Sequence, residues 1–169
     1  PYGVKISKKE RRLLKSYKNT SETAILFIYK GKDLLKDKGI QSFIIPKAFT
    51  YASNYSSVRN NLQKEIMLIA DCHKPWQEVK LEACIFQLRK KDTFQEYLSF
   101  KFKGNDTIKL GSIKKSYIDD FGYILNGVSI QEIELAKKIK NNSIFLNEVS
   151  KNTRGAGLQK KVTRDGKYV

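Results

Sequence analysis

Ile66-Met67-Leu68-Ile69-Ala70 and, beyond a short polar interval, Glu82-Ala83-Cys84-Ile85-Phe86-Gln87-Leu88 decide how this chain is read. Neither run alternates apolar with polar residues strictly, as a strand with one wet face would, so both read as buried strands. Lys74-Pro75-Trp76-Gln77 between them is a turn. Upstream, Ser42-Phe43-Ile44-Ile45-Pro46 is a third short apolar strand with proline marking its end. Helical spacing fills the intervals. Ala24, Ile25, Ile28 and Tyr29, on to Leu35, give a helix of about four turns, with Gly39 as its natural stop. Tyr55 to Glu65 carries Val58 and Leu62 on one face. Apolar strands separated by helices predict an α/β domain whose sheet is covered on both sides.

The flanks follow other rules. Ser7-Lys8-Lys9-Glu10 is a capping box ahead of Leu13, Leu14 and Tyr17, and predicts a short first helix. After Lys91 the pattern changes. Phe94, Glu96, Leu98, Phe100 and Phe102 alternate with more polar neighbours, and Gly104-Asn105-Asp106 signals a turn. Ser129-Ile130-Gln131-Glu132 is a second capping box, opening a helix to about Lys140. The rest reads as loop. These changes place a boundary near residue 92, dividing the chain into 1–92 and 93–169.

The net charge is +16. Residues 1–20 hold seven Lys/Arg against one Glu, and 151–169 hold six against Asp165, while 116–150 is slightly acidic. Cationic ends around a globular core point to a polyanionic partner, nucleic acid first. No run approaches the roughly 18 apolar residues of a membrane span. Cys72, Cys84 and the lone His73 lack the ligand spacing of a metal site. The two thiols are expected to be reduced and the protein cytoplasmic. A catalytic Cys72–His73 pair is disfavoured, because neighbours on a regular strand point to opposite faces. The chain opens Pro1-Tyr2-Gly3 rather than on Met, and is expected to be a piece of a longer protein.

Taken in order, several elements resemble the gamma-class adenine N-6 DNA methyltransferases of restriction–modification systems. Pro1-Tyr2-Gly3 looks like the second half of that family's (Asn/Asp)-Pro-Pro-(Tyr/Phe) catalytic loop. A helix ending Leu34-Leu35-Lys36-Asp37-Lys38-Gly39 leads to the strand Phe43-Ile44-Ile45-Pro46, and Val58-Arg59 to Leu62 resembles the short helix that follows. Trp76-Gln77-Glu78-Val79 before Ala83-Cys84-Ile85-Phe86-Gln87-Leu88 resembles the family's aromatic turn and apolar strand. The resemblance implies the C-terminal part of a Rossmann-like S-adenosylmethionine-dependent methyltransferase domain in 1–92. In 93–169 it implies a connector (Phe121-Gly122-Tyr123-Ile124-Leu125 and the helix after Ser129) and the start of a DNA target-recognition region.

What the family does explains the residue types. An adenine inside a duplex must be flipped out at a cost of a few kcal/mol, and stacking one base on an aromatic ring returns roughly 1–3 kcal/mol. The resemblance puts Tyr2 and Trp76 on the two faces of the flipped adenine, with Pro1 in the catalytic loop. It puts Glu22 and Phe27 beside S-adenosylmethionine, and Arg154, Lys160 and Lys161 around a glycine turn on DNA phosphates. The family's glycine-bearing donor motif is not among these residues, so the chain alone is expected to be inactive and to bind donor poorly. The implied partner is double-stranded DNA, with self-association possible through an exposed sheet edge. No metal is implied. Two rival readings are a non-catalytic basic nucleic-acid-binding protein and a degenerate remnant that folds without activity.

Overall fold

A computed structural model describes residues 7–10, 12, 23–76 and 80–151. The chain divides into two compact units at Ile133/Glu134. In the first, the described elements begin with helix α1 (Thr23–Leu34), strand β1 (Ile40–Pro46) and two 3-10 turns, Lys47–Thr50 and Ser53–Tyr55. Helix α2 (Ser56–Leu62), strands β2 (Ile66–His73), β3 (Ala83–Arg89), β4 (Glu96–Lys103) and β5 (Asp106–Lys114), and helix α3 (Ser116–Phe121) follow. Helix α4 (Ile130–Asn141) straddles the division, and the second unit ends its described part with α5 (Leu146–Val149).

The strands form one mixed sheet in the order β1-β3-β2-β4-β5. β3 runs antiparallel to both β1 and β2, β2 is parallel to β4, and β4–β5 is an antiparallel hairpin. The fold is therefore mixed α/β. The sheet passes straight through residue 92, which lies in the turn before β4, and the first unit continues to Ile133. The boundary read from the change of pattern near residue 92 is thus a change of strand environment, since β4 completes the sheet begun by β1–β3.

Register explains the burial. Ile45, Cys84, Phe86, Leu88, Ile69, Tyr97 and Ile113 share one face, all at most 4% exposed. Against them pack Ile25, Ile28 and Tyr29 of α1, Phe49 of the first 3-10 turn, Leu62 of α2 and Ile118 of α3. Burying one such side chain contributes about 1.5–3 kcal/mol, so this face holds the unit together. Phe43 and Phe49 each stack on Phe86, with centroids 6.1 and 5.3 Å apart. The buried Arg59 donates to the carbonyls of Phe49 (3.1 Å) and Ala52 (2.6 Å), fixing both 3-10 turns.

The opposite face differs from expectation. Ile44 pairs with Ile85, and Ala70 with Phe100, on a side where Ile44, Leu68, Ile85, Leu98, Phe100 and Phe102 stay partly exposed. Among the described residues this face is not sealed by a helix, so the sheet is well covered on one side only. Among the described residues the sheet edges are β1 and β5. Strand β5 was not foreseen.

Helix ends agree with the capping chemistry in two places. Ser7 Oγ accepts the Glu10 N–H (3.2 Å) and Glu10 Oε2 the Ser7 N–H (2.8 Å). Ser129 and Glu132 repeat the arrangement at α4. Gly39 does not terminate α1 as expected. The helix stops at Leu34, Lys90 caps it by donating to the carbonyls of Asp33 and Leu35, and the left-handed residue is Lys38. Gly39 serves close approach instead, since a Cβ there would lie 2.8 Å from the Lys36 carbonyl oxygen. In the second unit Leu135, Ile139, Phe145, Leu146 and Val149 are all exposed.

Lys115, just after β5, donates to the Lys64 carbonyl (2.7 Å) and sits 5.6 Å from the Phe94 ring centroid. Burial pulls its pKa from the ordinary 10.5 to about 8, against a weaker opposing pull from Glu65. The unfolded chain then binds more protons than the folded one between those values, so this group's contribution to stability rises with pH from about 8 to 10.5. Urea titrations across that window should show a smaller rise for Lys115→Met than for the unaltered chain. Parallel pH profiles would contradict the assignment.

Candidate functional site at the strand ends

β1, β2 and β4 all point the same way, so Pro46, His73 and Lys103 finish at one end of the sheet. Ligands of α/β sheets commonly sit beyond the carboxyl ends of strands. The groups gathered here are polar and mutually constrained.

Asp71, near the end of β2, is buried, its side chain only 3% exposed. Lys47, the residue after β1, places its ammonium 2.7 Å from Asp71 Oδ2 and 3.6 Å from Glu82. Burial alone would lower the Lys47 pKa, but hydrogen bonding and charge from Asp71, then Glu82, outweigh it and hold the pKa above the usual lysine value. Asp71 Oδ1 accepts the His73 N–H (2.9 Å), and His73 adopts a left-handed conformation with φ 49°. A β-bulge between Asp71 and His73 accompanies it. The carboxylate thus bends the chain out of the sheet into Lys74-Pro75-Trp76. Trp76 emerges 46% exposed. Asn126, just before the Gly127 that packs on Asp71, holds both side-chain polar atoms away from water with no hydrogen-bond partner among the described residues.

A cleft of about 910 Å³ opens at this end, with Ile44, Ile85 and Phe102 from the less covered sheet face in its wall. His73, Lys74, Lys101 and Lys103 also line it, and its lining contains no Asp or Glu.

Cys72 and His73 both border the cleft, but Cys72 is buried with its thiol toward the Ala70 carbonyl while His73 is exposed, and no contact joins the two side chains among the described residues. The thiols still make poor nucleophiles. Burial raises the Cys72 pKa, and burial with the charges of Cys72 and Asp71 pushes Cys84 up to about 12, so both are protonated near neutrality.

Of the residues singled out from sequence, the structure places Trp76 at the strand ends and Phe27 on α1. Phe27 is 59% exposed, so it is a presented ring and not part of the core. Pro1, Tyr2, Glu22, Arg154, Lys160 and Lys161 lie outside the described residues. The facing of Tyr2 and Trp76 across one base therefore has only its Trp76 half on view. Sequence reading missed Lys47, Asp71, Lys74 and Gly127. Asp71 did carry a signal, as a carboxylate ending an otherwise apolar strand. Among the described residues no three His, Cys, Asp or Glu side chains group as metal ligands, and no helix is long and apolar enough to cross a membrane.

Residues 1–75 match the family model of the Eco57I restriction-modification methylase. The match supports a restriction-modification methyltransferase; it covers β1, α2 and β2 and ends one residue before Trp76. No curated protein matches the chain.

Gly127 tests how tightly the Asp71 network is built. It has φ 69°, and a Cβ there would lie 2.5 Å from Asp71 Oδ2. Gly122, at φ 76°, has nothing within 4 Å of such a Cβ. Both alanine variants bear the left-handed strain of roughly 1–2 kcal/mol. Only Gly127→Ala also disturbs a buried ion pair, and it should lose at least about 1 kcal/mol more in chemical denaturation. Equal losses would show that the glycine does not hold Asp71 in place.

Proposed function

We propose that this chain is part of a DNA adenine N-6 methyltransferase of the restriction–modification kind, acting in the cytoplasm on double-stranded DNA. A nuclease fused in the parent polypeptide is compatible with this reading. The match of residues 1–75 to a restriction-modification methylase family carries it. The exposed indole at the end of β2 supports the base-handling part.

In this reading Trp76 stacks on one face of a flipped adenine and Tyr2 on the other, recovering part of the unpairing cost. Pro1 belongs to the loop that holds the exocyclic amine. The amine's lone pair is delocalised into the ring, and acceptors placed around its two hydrogens make the nitrogen a better nucleophile. S-adenosylmethionine, when bound, supplies the methyl group. Phe27 fits a place beside it, because its ring is presented to solvent and free to cover a flat heterocycle; Glu22 would supply the polar contact on the same side. Arg154, Lys160 and Lys161 would neutralise phosphates and set the register on the duplex. Residues 93–169 then hold the connector and the beginning of the target-recognition region, with β4 and β5 adding to the sheet of a Rossmann-like catalytic domain begun in the first 92 residues. A second copy is a further candidate partner through the β1 edge, whose residues Ile40–Pro46 carry no charge to discourage pairing.

The test uses the complete polypeptide with duplex DNA carrying 2-aminopurine at the target adenine. Trp76→Ala should reduce the fluorescence rise on binding and slow methylation by roughly 5- to 100-fold, the worth of one base stack. Trp76→Phe should keep most of both. A Trp76→Ala enzyme indistinguishable from the parent would remove the indole from the base pocket. Labelled methyl recovered on cytosine instead of N6-methyladenine would refute the adenine assignment.

A further inference from the structure

The cleft beside the Asp71 network has a construction that the stacking role of Trp76 does not use. Its rim is cationic. Lys74 and Lys103 are exposed, and Lys101 is half-buried. Lys101 is paired in register with Asp71 on the covered face and shares its field with Glu132, so it is not counted among the ligand-binding cations. Lys47 is excluded from the count, since Asp71 and Glu82 already neutralise it. The exposed His73 and the Asn105 side chain add hydrogen-bonding capacity at the same mouth. The wall is apolar and carries one aromatic ring, Phe102, with Ile44 and Ile85 beside it.

Ammonium groups above an apolar, aromatic wall suit a ligand that is anionic at one end and flat and apolar at the other. A nucleotide has that shape. A paired base shows side chains only its edges in a groove, whereas a ring and aliphatic wall can cover a base only by its face, which an unpaired base presents. The volume lies within the roughly 300–1,000 Å³ of sites that enclose small ligands, room for a nucleotide or two and too little for a duplex.

We propose that this cleft binds a segment of unpaired DNA strand, with phosphates held by Lys74 and Lys103 and a base laid on Phe102. The choice of DNA rests on the function proposed above; the preference for an unpaired strand rests on the cleft alone. Next to a site of base flipping, such a cleft would hold strand that has lost its partner and keep the opened duplex from reclosing.

Fluorescence anisotropy of the full chain with a labelled oligothymidylate and with a blunt duplex of equal length reads this directly. The unpaired strand should bind more tightly. Each phosphate contact on a single strand contributes about 0.7 to the slope of log affinity against log salt. Lys74→Gln combined with Lys103→Gln should therefore flatten the slope by about 1.4. The same exchange at the exposed Lys30 of α1 and Lys36 just after it should change it by less than half of one contact. Phe102→Leu should leave the slope unaltered and weaken the strand roughly fivefold or more, as loss of a base stack does. Any one of three results overturns the proposal: equal affinity for strand and duplex, a cleft double variant that matches the α1 control, or a Phe102→Leu chain that binds as the parent does. The methylation assay stands apart. Loss of the methyltransferase reading with these binding results intact would leave an unpaired-strand site, and the reverse outcome would leave a methyltransferase without one.

Discussion

A carboxylate buried in a sheet must be met by charge and hydrogen bonds, because leaving it unpaired costs several kcal/mol. Asp71 is met from three directions. Lys47 arrives from the end of β1 with its charge, the His73 N–H from its own strand with a hydrogen bond, and Gly127, from the segment before α4, only packs against it, so closely that no side chain fits. Three separate stretches of chain are thereby fixed to one oxygen-bearing group. The position of Trp76 and the mouth of the basic cleft follow from that. Lys47 loses only part of its hydration, its side chain being 22% exposed, so the pair suffers less desolvation than two fully buried ions would.

The two faces of the sheet divide the work. One is closed by α1, α2, α3 and the 3-10 turns, and contributes most of the apolar burial. The other keeps Ile44, Ile85 and Phe102 within reach of solvent beside lysines. An apolar face left partly open is a liability for a soluble protein unless something of matching character covers it. Cations along its border discourage another apolar surface from settling there and attract an anion. Electrostatics thus favours an anionic ligand over a second apolar surface at this end.

How far the sequence disclosed this fold depended on where each element's information lay. β1, β2, β3 and α1 were legible because their apolar residues record burial locally, in runs or at helical spacing. Both capping boxes were legible for the same reason, their partners being three residues apart. β5 was not. Asp106 to Lys114 includes two lysines, Lys109 and Lys114, and is largely exposed, so its strand character comes from pairing with β4. The shift in pattern at residue 92 was real, but it marked strands nearer a sheet edge and not the end of the domain. At the site, Trp76 stood out as the single tryptophan after a proline. Lys47 and Asp71 are 24 residues apart and ordinary in isolation, and only the parallel alignment of β1 and β2 brings them together.

His73 shows where extended strand geometry ends and what ends it. On a regular strand, consecutive side chains must oppose each other, and that rule separated Cys72 from His73. The rule assumes extended backbone. Here the Asp71 carboxylate accepts the His73 N–H, and the chain turns left-handed at that same residue. Such a conformation costs of order 1–3 kcal/mol and persists only where the surroundings over-determine it. In this protein the surroundings are the ion pair and the glycine behind it. The same carboxylate that closes the interior therefore aims an indole outward, and a sheet end that would have finished in an ordinary turn presents an aromatic ring beside a basic cleft.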